Sequence, residues 1–252
     1  INSFYNIPVI AIPTTSGSGA EVTPFATVWD EKLNRKYSLG SELIRPKYAI
    51  LDHLLTINLP LEITIYSGLD AISHCFESIW NLNASSKSIE VASTALYTLL
   101  NSFPKLLENP SDNNLRKLMQ VNSCLAGIAI SFTKTALAHS ISYPLTTNYN
   151  IPHGLACSFT LPEILLFNSK KDDGRLLKLS NHLGYKDINY LYKELKNLFL
   201  KIDLNKRIKK KLPHDLSEVF KISNQMFNPE RVSNNLRVVE LDDIQNILFK
   251  SL

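Results

Sequence analysis

Asp70 and His74 stand four residues apart in the segment Tyr66 to Glu77. On a helix that spacing sends both side chains from one face, one turn apart. A carboxylate and an imidazole so placed can grip one metal ion together, or can stand as an exposed acid–base pair. The neighbours Leu69, Ile72, Phe76, Ile79 and Trp80 make the helix apolar, and a buried carboxylate needs partners. Two candidates follow downstream. His139 lies mid-way along the apolar stretch Thr135–Tyr143, and His153 opens a helix at Ile151-Pro152-His153-Gly154. A lone histidine on an apolar helix is more often a satisfied core residue than a ligand. Counted together, Asp70, His74, His139 and His153 supply one carboxylate and three imidazoles, all in apolar helical contexts. That donor set suits Fe(II) or Zn(II), and not Mg or Ca, which prefer all-oxygen shells. His53, His182 and His214 lie in more polar surroundings and read as surface residues.

The elements that must hold these groups change character along the chain. Ile7–Pro13 reads as a buried strand between prolines. It runs into Thr14-Thr15-Ser16-Gly17-Ser18-Gly19-Ala20-Glu21-Val22-Thr23, a small-residue loop dense in hydroxyls and backbone N–H groups. Such a loop can cradle phosphate or ribose, or can be a plain strand-exit turn. It is not a GxGxxG fingerprint, because Val22 stands where the third glycine would be. Phe25–Asp30 and Tyr37–Leu39 read as a hairpin turned at 31–36, and Pro46–Asp52 as a further strand. Beyond Asn58-Leu59-Pro60 the pattern turns helical, which places a domain boundary there: 1–59 as the end of an α/β domain, 60–252 as an all-helical one. Helices are expected over 68–82, 84–103 (stopped by Pro104), 112–130, Thr135–Tyr143 (stopped by Pro144) and from Pro152 to about Phe167. Shorter amphipathic helices fill 175–252, with Leu241–Phe249 the last.

The 252 residues are 44% apolar and 20% charged with a net charge of +4, an ordinary globular composition that leaves room for a sizeable core without disulfides. The basic run Lys206–Lys211 lacks interleaved aromatics and reads as a solvated helix face, not a nucleic-acid site. Cys75, Cys124 and Cys157 are odd in number and widely spaced, as expected of reduced thiols in the cytoplasm. No signal peptide or apolar run of transmembrane length is legible, so no membrane partner is expected. The chain begins at Ile1 and enters a strand-like run almost at once, as though partway through a longer protein.

The pattern Asp70-x3-His74, a gap of about sixty-five residues, then His139-x13-His153-Gly154 resembles the metal site of the iron-containing (group III) alcohol dehydrogenase family. The loop from Pro13 through Thr23 lies where that family carries a threonine-rich cofactor loop, and Asn228-Pro229 resembles its closing Asn-Pro-Arg. The resemblance spans nearly the whole chain. It implies a dehydroquinate synthase-like two-domain fold, an α/β nucleotide-binding domain followed by a helical metal-binding domain with the active site between them. Here the first domain would be an α/β remnant, its glycine-rich pyrophosphate loop lying upstream of Ile1. It also implies reduction of a small aldehyde with NAD(P)H at an Fe(II) or Zn(II) ion, in a homo-oligomer. Thr14, Thr15, Ser18 and Thr23 would line the cofactor, and Lys36 would reach toward it.

Two departures bear on the substrate. A further histidine common in the family one turn after the third ligand is replaced by Tyr143, which can hydrogen-bond a substrate oxygen or simply pack. Lys134, just before the His139 helix, can face an anionic substrate or solvent. The stretches Thr133–Thr146 and Pro24–Asp30 resemble one branch in particular, the phosphonoacetaldehyde reductases, whose product is 2-hydroxyethylphosphonate. A general short-chain alcohol dehydrogenase, and a truncated, non-catalytic metal-binding module, stand as alternatives.

Overall fold

The computed structural model describes residues 7–30 and 35–252. The N-terminal part is thin in secondary structure. Strand β1 (Ile10–Ala11) is followed by β2 (Phe25–Asp30), β3 (Arg35–Gly40) and β4 (Tyr48–Ala49). β2 and β3 pair antiparallel in the expected hairpin, whose tip at 31–34 lies outside the described residues, while β1 and β4 pair parallel over two residues. The burial expected for the first strand is not found. Ile7, Ile10 and Ile12 are exposed, as are Tyr48 and Ile50 on the neighbouring segment. A parallel pair is ordinarily sandwiched between helices on both faces, and the described residues place none over this one.

The helical part begins at α1 (Leu61–Ile79), after Pro60, and continues through α2 (Ser86–Glu108), α3 (Asn113–Thr133), α4 (Leu137–Tyr149), α5 (His153–Ser158) and α6 (Leu161–Ser169). α7 (Arg175–His182), α8 (Ile188–Lys201), α9 (Leu204–Lys209), α10 (Ser217–Lys221), α11 (Ser223–Met226), α12 (Pro229–Val232) and α13 (Leu241–Ser251) complete it. α1 is the axis. From Gly68 to Ile79 every residue is buried, as expected of a helix that is apolar around most of its circumference. Gly68 lets α2 close on it, since a Cβ there would meet the Phe103 ring at 2.5 Å. Ser85 and Ser88 form a capping box at the start of α2, and Asp112 caps α3 through the Leu115 N–H.

Two expected stops are overrun. Pro104 lies inside α2 and Pro144 inside α4. An interior proline costs about 3 kcal/mol, but Leu106 and Leu145 beyond them are almost wholly buried, and each such side chain contributes about 1.5–3 kcal/mol by leaving water. Packing outweighs the local break. The helix expected from Pro152 to Phe167 is instead two, α5 and α6, because Pro162 starts a new first turn. In the basic run, Arg207 is tied to Glu62 of α1 at 2.5 Å, and Leu204 and Ile208 turn inward. Among the described residues no single helix is long and apolar enough to cross a membrane.

Candidate metal centre

Asp70 Oδ1 is the hub of the site. His74 Nε2 lies 3.4 Å from it, His139 Nε2 3.5 Å and His153 Nε2 3.8 Å. Three helices bring these groups together. α1 presents Asp70 and His74 one turn apart, α4 presents His139, and α5 presents His153 from its first turn. α5 can approach only because Gly154 has no side chain: a Cβ there would fall 1.8 Å from the Tyr66 carbonyl oxygen of α1. The link from α4 to α5 is three residues long, turned by Asn150 in the left-handed region at φ 51°, which asparagine tolerates better than most side chains.

The donors fit a metal ion. His139 is buried, yet its Nε2 has no hydrogen-bond partner, while its Nδ1 is held by Glu77 Oε2 at 2.6 Å. A histidine fixed at one nitrogen by a carboxylate and left with the other aimed at a cluster of ligands is the usual arrangement around a protein-bound metal. His74 and His139 stack with ring centroids 5.0 Å apart. Burial works against the Asp70 carboxylate charge, but the surrounding His74, His139 and His153 outweigh it and hold the group ionised far below its ordinary range. Burial lowers the basicity of His74. It does the same to His139, but there the Glu77 charge prevails and the net shift is upward.

Glu77 was not singled out by the sequence reading. Its signal was present: it stands seven residues after Asp70 and three after His74 in an apolar run, on the same helix face. Cys157 was also missed as a site neighbour. Its Sγ lies 3.5 Å from Asp70 Oδ1, and it joins Asp70, His139 and His153 in a group whose donor atoms all lie within 4.8 Å of one another. Burial, and then the Asp70 charge, push its thiol well above the usual cysteine range, so it is a protonated neighbour that donates to Asp70.

The other expected residues surround this centre unequally. Tyr143 lies directly on it, stacked nearly parallel to the His153 ring at 5.8 Å and edge-on to His139 at 6.3 Å. Burial raises its hydroxyl to about 12, so at neutral pH it is a hydrogen-bond donor. Lys134 precedes the His139 helix, as expected. It caps α3 in the link to α4, with φ 63° and ψ −179°, and its side chain is exposed. The loop through Thr14–Thr23 packs on α1 and α3. A Cβ at Gly17 would strike Ser67, and one at Gly19 would fall 2.4 Å from Gly127 Cα. Gln120 of α3 holds the loop's entry by donating to the Pro13 carbonyl. Within the loop Thr14 and Ser18 are exposed, Thr15 half-buried and Thr23 buried. The Lys36 side chain lies outside the described residues.

The C-terminal part of the chain matches the Fe-containing alcohol dehydrogenase family, C-terminal, over residues 64–252, and the iron-containing alcohol dehydrogenase model matches over 2–53. The chain belongs to the iron-containing alcohol dehydrogenase family. Curated relatives include a phosphonoacetaldehyde reductase of Streptomyces viridochromogenes, 35% identical over 64% of this chain and 41% of its own length. A probable alcohol dehydrogenase EutG of Escherichia coli is 36% identical over the same shares. Among solved structures, the sulfoacetaldehyde reductase from Bifidobacterium kashiwanohense in complex with NAD+ superposes with a TM-score of 0.86 at 28% identity, over 97% of this chain and 64% of that one. An iron-containing alcohol dehydrogenase from Thermococcus thioreducens gives 0.89 at 25% identity, over the same shares. The chain therefore spans about two-fifths of the length of those curated relatives and just under two-thirds of those solved structures. Its fold is that of the family's helical domain, preceded by a short portion of strands and turns.

Proposed function

We propose that this chain is the metal-bearing part of an NAD(P)H-dependent aldehyde reductase, with Asp70, His74, His139 and His153 as the ligands of one Fe(II) or Zn(II) ion. The observation that carries this reading is His139: buried, oriented by Glu77, with its second nitrogen unpartnered and facing Asp70 Oδ1. The fourth place is contested by His74 and Cys157. His74 takes it, because an imidazole ligates in its neutral form, which burial favours here, whereas Cys157 would first have to lose a proton that its surroundings retain.

A divalent ion held there supplies Lewis acidity toward a carbonyl oxygen, and a reduced nicotinamide supplies the hydride. The protein's own groups do the rest. Asp70 contributes the one ligand charge, and Glu77 fixes the His139 tautomer. His153 is the most exposed of the ligands, with 38% of its side chain accessible against 2% for His139, so substrate approaches from the His153 side. Tyr143 covers that side and offers its hydroxyl proton to a substrate oxygen. The loop of Thr14, Thr15, Ser18 and Thr23, with Lys36, forms the cofactor side, within the portion 1–59. Portion 60–252 holds the metal. The substrate we propose is phosphonoacetaldehyde, giving 2-hydroxyethylphosphonate. Two similar proteins bear on this, one named for phosphonoacetaldehyde and one for sulfoacetaldehyde, both small aldehydes with an anionic head. The EutG relative keeps a neutral short-chain alcohol as the second reading. A homo-oligomer in the cytoplasm is the expected setting, and the three free, buried cysteines suit a reducing compartment.

The test uses the full-length protein, with any sequence encoded upstream of Ile1. Elemental analysis of wild type is expected to give about one Fe or Zn per chain and His139→Ala almost none, alongside aldehyde-dependent oxidation of NAD(P)H by wild type. A folded wild type that takes up neither metal and oxidises no NAD(P)H with any aldehyde would overturn the reading.

A further inference from the structure

Arg231 is the charged side chain that the metal centre does not account for. It lies in α12, a single turn far from the ligands in sequence, yet its guanidinium sits 4.7 Å over the Tyr143 ring. Tyr143 in turn stacks on His153. The cation is thus one aromatic ring away from the most exposed ligand, on the side from which substrate approaches. Its placement is over-determined. Arg231 Nη1 donates to the Thr135 hydroxyl, and Asn234 Nδ2 donates to the Thr135 carbonyl at 2.9 Å. The start of α12 is clipped to α4 by Ser140, whose hydroxyl donates to the Met226 carbonyl and accepts from the Asn228 N–H. A side chain held this way keeps its donors pre-positioned for a ligand.

The charge balance points the same way. Asp70 and Glu77 offset the two positive charges of a divalent ion, so Arg231 is left over. Among the described residues no carboxylate lies within ion-pair distance of it. A half-buried guanidinium beside a binding site, without an acidic partner in the protein, is matched by an acidic partner on the ligand. Its planar fork of donors suits a tetrahedral oxyanion, which accepts two parallel hydrogen bonds. Lys134, by contrast, projects from the α3–α4 link and is exposed.

We infer that Arg231, stacked on Tyr143 and anchored by Thr135, is the residue that selects aldehydes carrying a phosphonate or sulfonate head, binding the head while the carbonyl end lies at the metal ligands. This rests on the aldehyde-reductase reading for the reacting end and adds the specificity. The chemistry shared by the two heads is the tetrahedral oxyanion.

The experiment compares wild type, Arg231→Gln and Thr135→Val in the full-length, metal-loaded protein. It measures kcat/KM for phosphonoacetaldehyde, sulfoacetaldehyde and propionaldehyde, and calorimetric binding of 2-hydroxyethylphosphonate and 2-hydroxyethylsulfonate. Arg231→Gln is expected to lower kcat/KM for whichever anionic aldehyde wild type prefers by about 100-fold, as loss of hydrogen bonds to a charged group implies. Propionaldehyde should fall far less, and affinity for the matching anionic alcohol should drop in step. Thr135→Val, which leaves the guanidinium in place but unanchored, should shift the same ratio by about tenfold, and it tests the inference if Arg231→Gln does not fold. Equal losses on all three aldehydes, or no loss on the anionic ones, would reject it. A wild type that reduces propionaldehyde alone and binds neither anionic alcohol would also reject it while leaving the reductase reading intact. A wild type that reduces none of them but binds 2-hydroxyethylphosphonate, and loses that binding in Arg231→Gln, would keep the anion site and remove the reductase reading.

Discussion

The segment before Pro60 and the helices after it contain similar apolar side chains and treat them in opposite ways. Ile10 and Tyr48, paired neighbours in the parallel fragment, are both more than half exposed, whereas Leu69, Ile72 and Trp80 of α1 and its end are fully buried. The helical body closes its own core and holds all four proposed ligands within it. The N-terminal segment contributes a hairpin, and a loop that leans on α1 and α3 at Gly17, Gly19 and Gln120. A site assembled from helices that pack on each other is rigid where chemistry needs fixed distances. A loop that rests on that body through a few close approaches can be altered with little cost to the centre.

That contrast can be broken most severely at Gly154. Replacing it with Val places a side chain where the Tyr66 carbonyl stands, so α5 must move off α1 and take His153 with it. We expect loss of more than about 4 kcal/mol, read as a collapsed thermal transition with no bound metal. An unchanged melt would mean that α5 does not need this approach. Next in size is the choice of fourth ligand. His74→Ala should strip the metal to near zero, and Cys157→Ser should retain it; the reverse pattern in elemental analysis would exchange their roles. Glu77→Gln keeps the shape but weakens the orientation of His139, and should lower metal affinity by about 10–100-fold in a chelator competition, with far-UV circular dichroism unchanged. An affinity equal to wild type would make Glu77 a packing residue. The smallest effect sharpens the comparison from the other side. Thr14→Ala and Ser18→Ala change exposed loop hydroxyls and should shift stability by less than about 0.5 kcal/mol with full metal content, while raising KM for NAD(P)H several-fold. A drop in metal content in either variant would show that loop and centre are not separable.

Much of the centre was legible before any fold was known. Asp70 and His74 are adjacent because a helix repeats every 3.6 residues, which is local geometry. That His139 and His153 join them was readable from ligand type and apolar context, and the helices that carry them were visible in their periodicity. Glu77, two turns from Asp70, was not singled out, because nothing local distinguishes a carboxylate that will orient a histidine from one that will meet solvent.

What the tertiary structure decided is of a different kind. Pro104 and Pro144 read as helix ends because their cost is local, and they are overrun because the burial that outweighs it comes from other helices. Lys134 could face an anionic substrate or solvent by its sequence; the chain turns there with a positive φ, held by Asn81 donating to its carbonyl, its side chain is exposed, and the partner that fixes the turn is distant in sequence. Arg231 has no local signal for its place over Tyr143. Its position follows from how α12 docks on α4, through Ser140, Thr135 and Asn234. The identity and periodic spacing of ligands on one helix are set by the chain alone, because they depend on backbone geometry. Which remote cation meets which aromatic ring depends on the packing of whole helices, and short-range spacing carries no record of that.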